Sequence, residues 1–262
     1  MNIEEEVRGA RLSWFHYRLA LVLGAVLFID GYDLFNAAYV APYIRQEWGL
    51  SDGQIGLMLS MGVAGLALGA FVQAPVTRAL GRRLAVTIGV LLLATTSVTM
   101  ATMVHDYASF VAMRLVLGIS LGMLSPLAFV YVNEWAPQNT ANRFATIAFV
   151  LPFSLGGIAA GIAGIVVGPD YGWRGLYMLA ALGFPCAVLA FLWLPESLVR
   201  LVERGRLEEI RAYLGAIRPD RADQYAACTA FHLPAPSNGR VGVGALFAPR
   251  YRRTTIGIWI AS

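Results

Sequence analysis

Six long apolar runs dominate the sequence and decide the class of protein. Each is close to the roughly 20 residues that a helix needs to cross the hydrocarbon core of a bilayer. Only 14% of the 262 residues are charged, against about 25% in an ordinary soluble domain. Inside lipid a spanning segment must pair its own backbone groups, so each run is predicted to be a helix. The predicted spans are about residues 18–43, 55–77, 84–104, 108–133, 144–168 and 174–195.

The fold class predicted is therefore an all-α polytopic membrane protein. Residues 1–17 form a cytoplasmic N-terminus and residues 18–195 a six-helix transmembrane bundle. Residues 196–253 form a cytoplasmic linker with an amphipathic helix, because apolar residues there recur three and four apart. Residues 254–262 are apolar but cover less than half of a span, and they are interpreted as the truncated start of a seventh helix.

Arginines set the predicted orientation, since the chain has twenty of them and no lysine. With the N-terminus inside, seventeen arginines face the cytoplasm and only Arg45 and Arg174 face outside, which satisfies the positive-inside rule. The net charge of +4 therefore reflects membrane topology and does not indicate a nucleic-acid partner. We expect the bacterial inner (plasma) membrane as the location, with the N-terminus in the cytoplasm.

Two aspartates, Asp30 and Asp33, stand in the middle of the first run. An ionised carboxylate at that depth costs a few kcal/mol, which marks it as a functional candidate. Three residues of helix place them about 60° apart and one turn apart in height, so both can line one cavity near the midplane. Two like charges so close, and partly desolvated, favour protonation of at least one carboxyl, so a proton can be held and released near neutral pH as proton coupling requires. The alternative is a purely structural role, with the aspartates facing arginines or backbone donors.

Arg114 is the other charge inside a predicted span. Its long side chain can reach the level of Asp33 and act as a counter-ion. It can instead grip an anionic substrate with two parallel hydrogen bonds, as guanidinium groups do with carboxylates. A third alternative is that it extends to the outer surface of the bilayer.

Glycines four residues apart occur in several runs, including Gly65 with Gly69 and Gly118 with Gly122. This spacing predicts close packing of helices. Residues 118–122 also spell the G-x-S-x-G pattern of serine hydrolases, but that motif needs a strand, a sharp turn and a histidine partner. The three histidines fall outside the predicted spans. No enzyme activity, catalytic residue, metal site or cofactor is therefore expected.

Several motifs together resemble the N-terminal half of a major facilitator superfamily transporter. The first helix reads DGYDLFNAAYVAP and is similar to the aromatic acid:proton and metabolite:proton symporter branches. The fourth run and its following loop carry Arg114, Glu134, Pro137 and Arg143 in the order of that family. The segments 172–174 (GWR) and 194–197 (LPES) are also similar. The resemblance covers essentially the whole chain.

The resemblance implies roles for particular residues. The first and fourth helices would line the central cavity, with Asp30, Asp33 and Arg114 serving proton coupling and substrate binding. Glu134 would form an inner gate with loop arginines. Those gating arginines are Arg143, Arg78, Arg82 and Arg83. One departure stands out, because Arg78 occupies a position that is acidic in the family, which argues against the family's usual gating contact.

The function predicted is secondary active transport, as proton-coupled symport of a small organic anion such as an aromatic acid. A sugar or phosphate carrier of the same superfamily is the nearest alternative. A truncated, non-transporting membrane protein is an alternative of another class. The expected partners are a small-molecule substrate, protons and the lipid bilayer, with either a missing C-terminal half or a second copy completing the carrier.

Overall fold

The computed structural model describes residues 1–228 and 230–232 and shows a bundle of helices. Within these residues, six helical stretches are long and apolar enough to cross a membrane, which confirms the predicted fold class. The predicted start of a seventh helix at 254–262 lies outside the described residues. The first five helices are α1 (Ile3–Arg8), α2 (Trp14–Trp48), α3 (Asp52–Leu80), α4 (Arg82–Met103) and α5 (Tyr107–Trp135).

The fifth and sixth spans are each built from more than one piece. The fifth, Gln138–Val166, contains the short α6 (Ala141–Ala145), a π-helical turn, and α7 (Leu151–Val166). The sixth, Gly168–Trp193, consists of α8 (Gly168–Met178), a 3₁₀ turn, and α9 (Gly183–Trp193). Gly172 interrupts α8 with a φ of +60°, a backbone conformation that glycine adopts without a steric cost.

Helix α2 extends beyond the apolar run that predicted it, because its ends are closed by local signals. Ser13 and His16 form a capping box at its start, and Gly49 ends it in the left-handed conformation with a φ of +63°. His16 was expected outside the spans, but it lies in the first turn of this helix. Its Nε2 atom lies 3.1 Å from the carbonyl oxygen of Trp135, so the ring is a buried structural contact.

Helices α3 and α5 pack through their glycines, in agreement with the close packing that the spacing predicted. Gly65 and Gly69 of α3 lie directly against Gly118 and Gly122 of α5. A Cβ atom added at Gly65 would overlap the carbonyl oxygen of Leu115, so a larger residue cannot fit without separating the helices. This contact sets the height of α5 relative to α3.

The predicted inner end of the bundle is covered by α1 and by three short helices that follow the last span. These are α10 (Leu198–Glu203), α11 (Leu207–Ile217) and α12 (Ala222–Ala227). In α11 the apolar residues Ile210, Leu214 and Ile217 share one buried stripe. We call these four helices the inner cap. Its position brings the N-terminal helix into contact with the segment after the sixth span.

Candidate functional site

The two aspartates of α2 are buried and each accepts a hydrogen bond from a serine. Asp30 is 1% exposed and Asp33 is 0% exposed. Ser125 Oγ of α5 donates to Asp30 Oδ2 at 2.6 Å, whereas Ser97 Oγ of α4 donates to Asp33 Oδ2 at 2.7 Å. In the described part of the chain, the Oδ1 atom of each aspartate is buried without a hydrogen-bond partner. The two carboxylates are thus held by different helices and retain one acceptor each.

Arg114 is buried in α5 and does not extend to the bilayer surface. Its side chain is 5% exposed, and its Nη1 donates to Tyr177 Oη of α8 at 3.2 Å. Among the residues that the structure describes, it forms no ion pair within 4 Å, so Asp33 is not its direct counter-ion. Its Nε is buried without a hydrogen-bond partner in the same part of the chain. The guanidinium therefore keeps donors for another acceptor.

Arg114 also lines a cleft between α2, α3 and α5. The cleft has a volume of about 220 Å³ and is open on one side. Its wall is apolar apart from the guanidinium. The larger apolar side chains in it are Leu34, Phe35, Leu59, Val63, Leu66 and Leu121. A cavity with an apolar wall and one cation suits a small, largely apolar anion.

Sequence reasoning missed several residues of this site. Tyr177 contacts Arg114, and the serines that hold the aspartates are Ser97 and Ser125. Asn36 lies one turn after Asp33, fully buried, and its amide atoms have no partner in residues 1–228 and 230–232. Asn36 is thus an exception to the rule that buried amides have hydrogen-bond partners. The sequence did carry a signal for it, because Asn36 is a polar residue at helical spacing from the two aspartates.

The predicted gating residue Glu134 lies in a network at the predicted inner end. It forms an ion pair with Arg82. Its Oε1 also accepts from the backbone N–H of Leu198 at 2.8 Å and from Ser197 Oγ at 3.3 Å. Glu196 accepts from the backbone N–H of Arg82 at 3.1 Å. The network joins the start of α4 and the C-terminal end of α5 to the start of α10.

The other arginines predicted for gating are not in this network. The guanidinium of Arg83 lies over the ring of Phe191, with its carbon 5.0 Å from the ring centroid. Arg78 and Arg143 are exposed, and neither forms an ion pair in the described residues. Of the five residues predicted for gating, the structure brings only Glu134 and Arg82 together.

Comparison with known proteins decides the family. The sequence profile of the Major Facilitator Superfamily matches residues 21–261. The chain belongs to the major facilitator superfamily. This agrees with the resemblance found in the motifs of the first and fourth spans. With six apolar helices, this member of the superfamily is an integral membrane protein.

Its similar relatives within the superfamily include transporters named for aromatic acids. The 4-hydroxybenzoate transporter PcaK of Acinetobacter baylyi is 27% identical over 268 residues, which cover 99% of this chain and 57% of that protein. The gallate transporter of Pseudomonas putida has the same identity and coverage. The chain thus spans less than two thirds of the length of the curated relatives it matches.

A solved structure of the superfamily shares the fold. The xylose transporter XylE from E. coli, in a partially occluded inward-open conformation, has a TM-score of 0.70 and 17% sequence identity. The match covers 81% of this chain and 58% of that one. At this identity the likeness supports the helical architecture alone.

Proposed function

We propose that this chain forms one half of a proton-coupled symporter that carries an aromatic carboxylic acid. The observation that carries the proposal is the buried guanidinium of Arg114 at the wall of an apolar cleft. A carboxylate binds guanidinium through charge-assisted hydrogen bonds, whereas its ring gains from contact with apolar walls. The names of the similar transporters, for 4-hydroxybenzoate and gallate, support this substrate class.

Phe35 is the aromatic residue of the cleft wall, and its position fits a stacking surface. Its ring lies 6.0 Å from that of Phe153 in an edge-to-face arrangement and against Gly157 of α7. One side of the ring therefore packs against α7, while 46% of the residue stays exposed. An aromatic substrate with its carboxylate on Arg114 would gain from an aromatic pair with Phe35.

Asp30 and Asp33 are the proposed proton carriers. Both lie on α2, which also contributes Leu34 and Phe35 to the cleft. Buried carboxylates in a membrane bundle typically mark proton pathways. Each carboxylate has one oxygen held by serine and one without a partner among the described residues, so a proton can be added without breaking the serine contact.

The remaining parts of the carrier follow from the same proposal. The N-terminus lies in the cytoplasm of a bacterial cell, because the arginines favour that orientation. The ion pair of Glu134 with Arg82 stabilises the inner end of the bundle as a gate. Since the relatives are longer, a C-terminal half or a second copy of this chain completes the cavity.

The test is uptake of labelled 4-hydroxybenzoate into liposomes that contain the purified protein. We expect accumulation when the outer solution is more acidic, and its loss when a protonophore collapses the gradient. Asp33→Asn should abolish accumulation because the neutral amide cannot carry the proton. Asp52→Asn is the matched control, since Asp52 is an exposed acid that pairs with Arg45 at the end of the bundle.

Two results would contradict the proposal. Uptake that does not respond to the proton gradient would indicate facilitated diffusion. Uptake of a neutral sugar in preference to an aromatic acid would remove the role of Arg114 as the carboxylate ligand.

A further inference from the structure

Arg114 is constrained at one terminal nitrogen by Tyr177. The Tyr177 oxygen accepts from Nη1 at 3.2 Å and is fully buried. The ring of Tyr177 packs edge-to-face against Phe110 and Trp173, with ring centroids 5.9 Å and 6.3 Å apart. These contacts fix the hydroxyl oxygen in place. The contact with Tyr177 therefore sets the rotation of the guanidinium plane.

The other terminal nitrogen lies over Gly62 of α3. A Cβ atom placed on Gly62 would lie 2.8 Å from Arg114 Nη2, 3.3 Å from Cζ and 3.5 Å from Nε. Any side chain at this position would thus cover the edge of the guanidinium that carries Nε and Nη2. Gly62 and Arg114 line the same cleft, and Nε is buried without a partner among the described residues. A carboxylate in the cleft can therefore reach this edge only past residue 62, where glycine places no side chain in its path.

The free edge has the right chemistry for a carboxylate. A guanidinium has five N–H donors, and its Nε–H and one Nη2–H point in parallel toward a two-oxygen acceptor. Nη1 is engaged by Tyr177, and Nε has no hydrogen-bond partner within the described residues. The parallel pair of donors is therefore the part of Arg114 left for a ligand.

We propose that Tyr177 and Gly62 together present the Nε–Nη2 edge of Arg114 to the carboxylate of the substrate. Tyr177 is a positioning residue that acts through Arg114, and Gly62 is a specificity-determining residue whose missing side chain leaves room for the carboxylate at this edge. The inference rests on the proposed function, because it assigns the carboxylate to Arg114. It adds two residues that the sequence motifs did not single out.

The experiment measures the Kd of 4-hydroxybenzoate and of the uncharged 4-hydroxybenzamide for the purified protein by titration calorimetry. Gly62→Ala should weaken 4-hydroxybenzoate binding at least about 10-fold, since the methyl group would occupy the space beside Nη2 that the carboxylate needs. Tyr177→Phe should weaken it about 10-fold, the order expected for losing one hydrogen bond to a charged group. Both variants should reduce the preference for the acid over the amide.

Matched controls separate these effects from general damage. Gly56→Ala lies on the same helix, and an added Cβ there meets nothing within 4 Å. Tyr43→Phe removes a hydroxyl that donates to the Gly164 carbonyl at 3.1 Å, away from Arg114. Both controls should bind the acid as the unmodified protein does. In liposomes, Tyr177→Phe should raise KM and leave Vmax unchanged, which a folding defect would not do.

The outcomes distinguish the two proposals. If the unmodified protein binds the acid and Arg114→Ala does not, while Gly62→Ala and Tyr177→Phe bind within 2-fold of normal, the inference falls and the proposed function stands. If the unmodified protein binds no aromatic acid, the proposed function falls and takes the inference with it. Should Gly62→Ala not fold, the Tyr177→Phe result alone decides.

Discussion

Ser97 donates a 2.7 Å hydrogen bond to Asp33, joining two residues that lie 64 positions apart in the chain. Ser125 makes the equivalent contact with Asp30 at 2.6 Å. The two aspartates are close along α2, yet each has its own donor on a different helix. Each carboxylate therefore has its own serine donor, whereas the sequence indicated only that both could line one cavity.

Removing either serine hydroxyl should destabilise the bundle. Ser97→Ala leaves Asp33 Oδ2 buried without its donor, and we expect a loss of about 1–3 kcal/mol in the free energy of unfolding. Chemical denaturation in mixed micelles measures it. Ser60→Ala, at an exposed position of α3, is the control and should change stability by less than about 0.5 kcal/mol. Equal effects of the two substitutions would show that the Ser97 contact contributes nothing.

Replacing glycine by alanine in α3 should have opposite effects on stability at two positions. Gly65→Ala should destabilise the protein by about 1–3 kcal/mol, because the new methyl group overlaps the backbone of α5. Gly56→Ala should stabilise it by up to about 1 kcal/mol, since alanine favours the helix and space is open there. The two melting temperatures measured in the same detergent test this. A stable Gly65→Ala variant would mean that α3 and α5 are not in close contact.

The inner cap should depend on Glu6. This carboxylate accepts from Arg218 at 3.0 Å, Arg221 at 3.1 Å and Tyr225 at 2.7 Å, and its side chain is 12% exposed. Glu6→Gln should weaken the cap by about 1–3 kcal/mol, because charge-assisted hydrogen bonds are lost. Faster hydrogen exchange in α11 and α12 is the expected readout.

The control for Glu6 is the same change two residues earlier. Glu4 pairs with Arg8, and both side chains are well exposed, so Glu4→Gln should have an effect near zero. If both substitutions speed exchange equally, the cap is held by the helix α1 as a whole and not by the Glu6 cluster.

Alkaline pH should loosen the same cap through Tyr225. Burial raises the pKa of this phenol above its ordinary value of 10.0, and the hydrogen bond that it donates to Glu6 raises it further. A group with a raised folded-state pKa contributes its full stabilisation below the unfolded pKa and loses it as pH rises through the folded pKa. The stabilisation should thus persist to about pH 10 and decline above it.

Limited proteolysis of the segment after the sixth span, followed as a function of pH, measures this decline. The Tyr225→Phe variant has no ionisable group at this position. The part of the pH dependence of proteolysis that is due to Tyr225 should therefore disappear. Identical profiles for the two proteins above pH 10 would contradict the assignment.

Much of the architecture follows from the sequence, because the bilayer imposes simple rules. The six spans, close packing of helices through glycines, and the placement of Asp30, Asp33 and Arg114 within spans were predicted from hydropathy, spacing and charge. Which helices pair, and that Arg114 is buried instead of extending to the surface, came from the structure. Because placing a charge in lipid costs free energy, such residues can be identified from the sequence alone. Their proposed roles in coupling and binding remain predictions.

The partners of these residues were not predictable. Ser97, Ser125 and Tyr177 are ordinary residues for membrane helices, and nothing in their local sequence sets them apart. Their importance comes from long-range packing. This packing brings α4 and α5 against the aspartates of α2, and α8 against Arg114. The gating arginines came from the family resemblance alone. In the described residues Arg78, Arg83 and Arg143 do not join the Glu134 network, and their role in gating stays a prediction.

The interlocked glycines of α3 and α5 bear on how the proposed carrier would move. Backbones in such close contact slide past one another only with difficulty, so these two helices would rock as one rigid body. Gly62 and Arg114 lie on those two helices, and their mutual distance would then stay constant through the cycle. Access to the bound ligand would change by motion of other helices around an unaltered anchor.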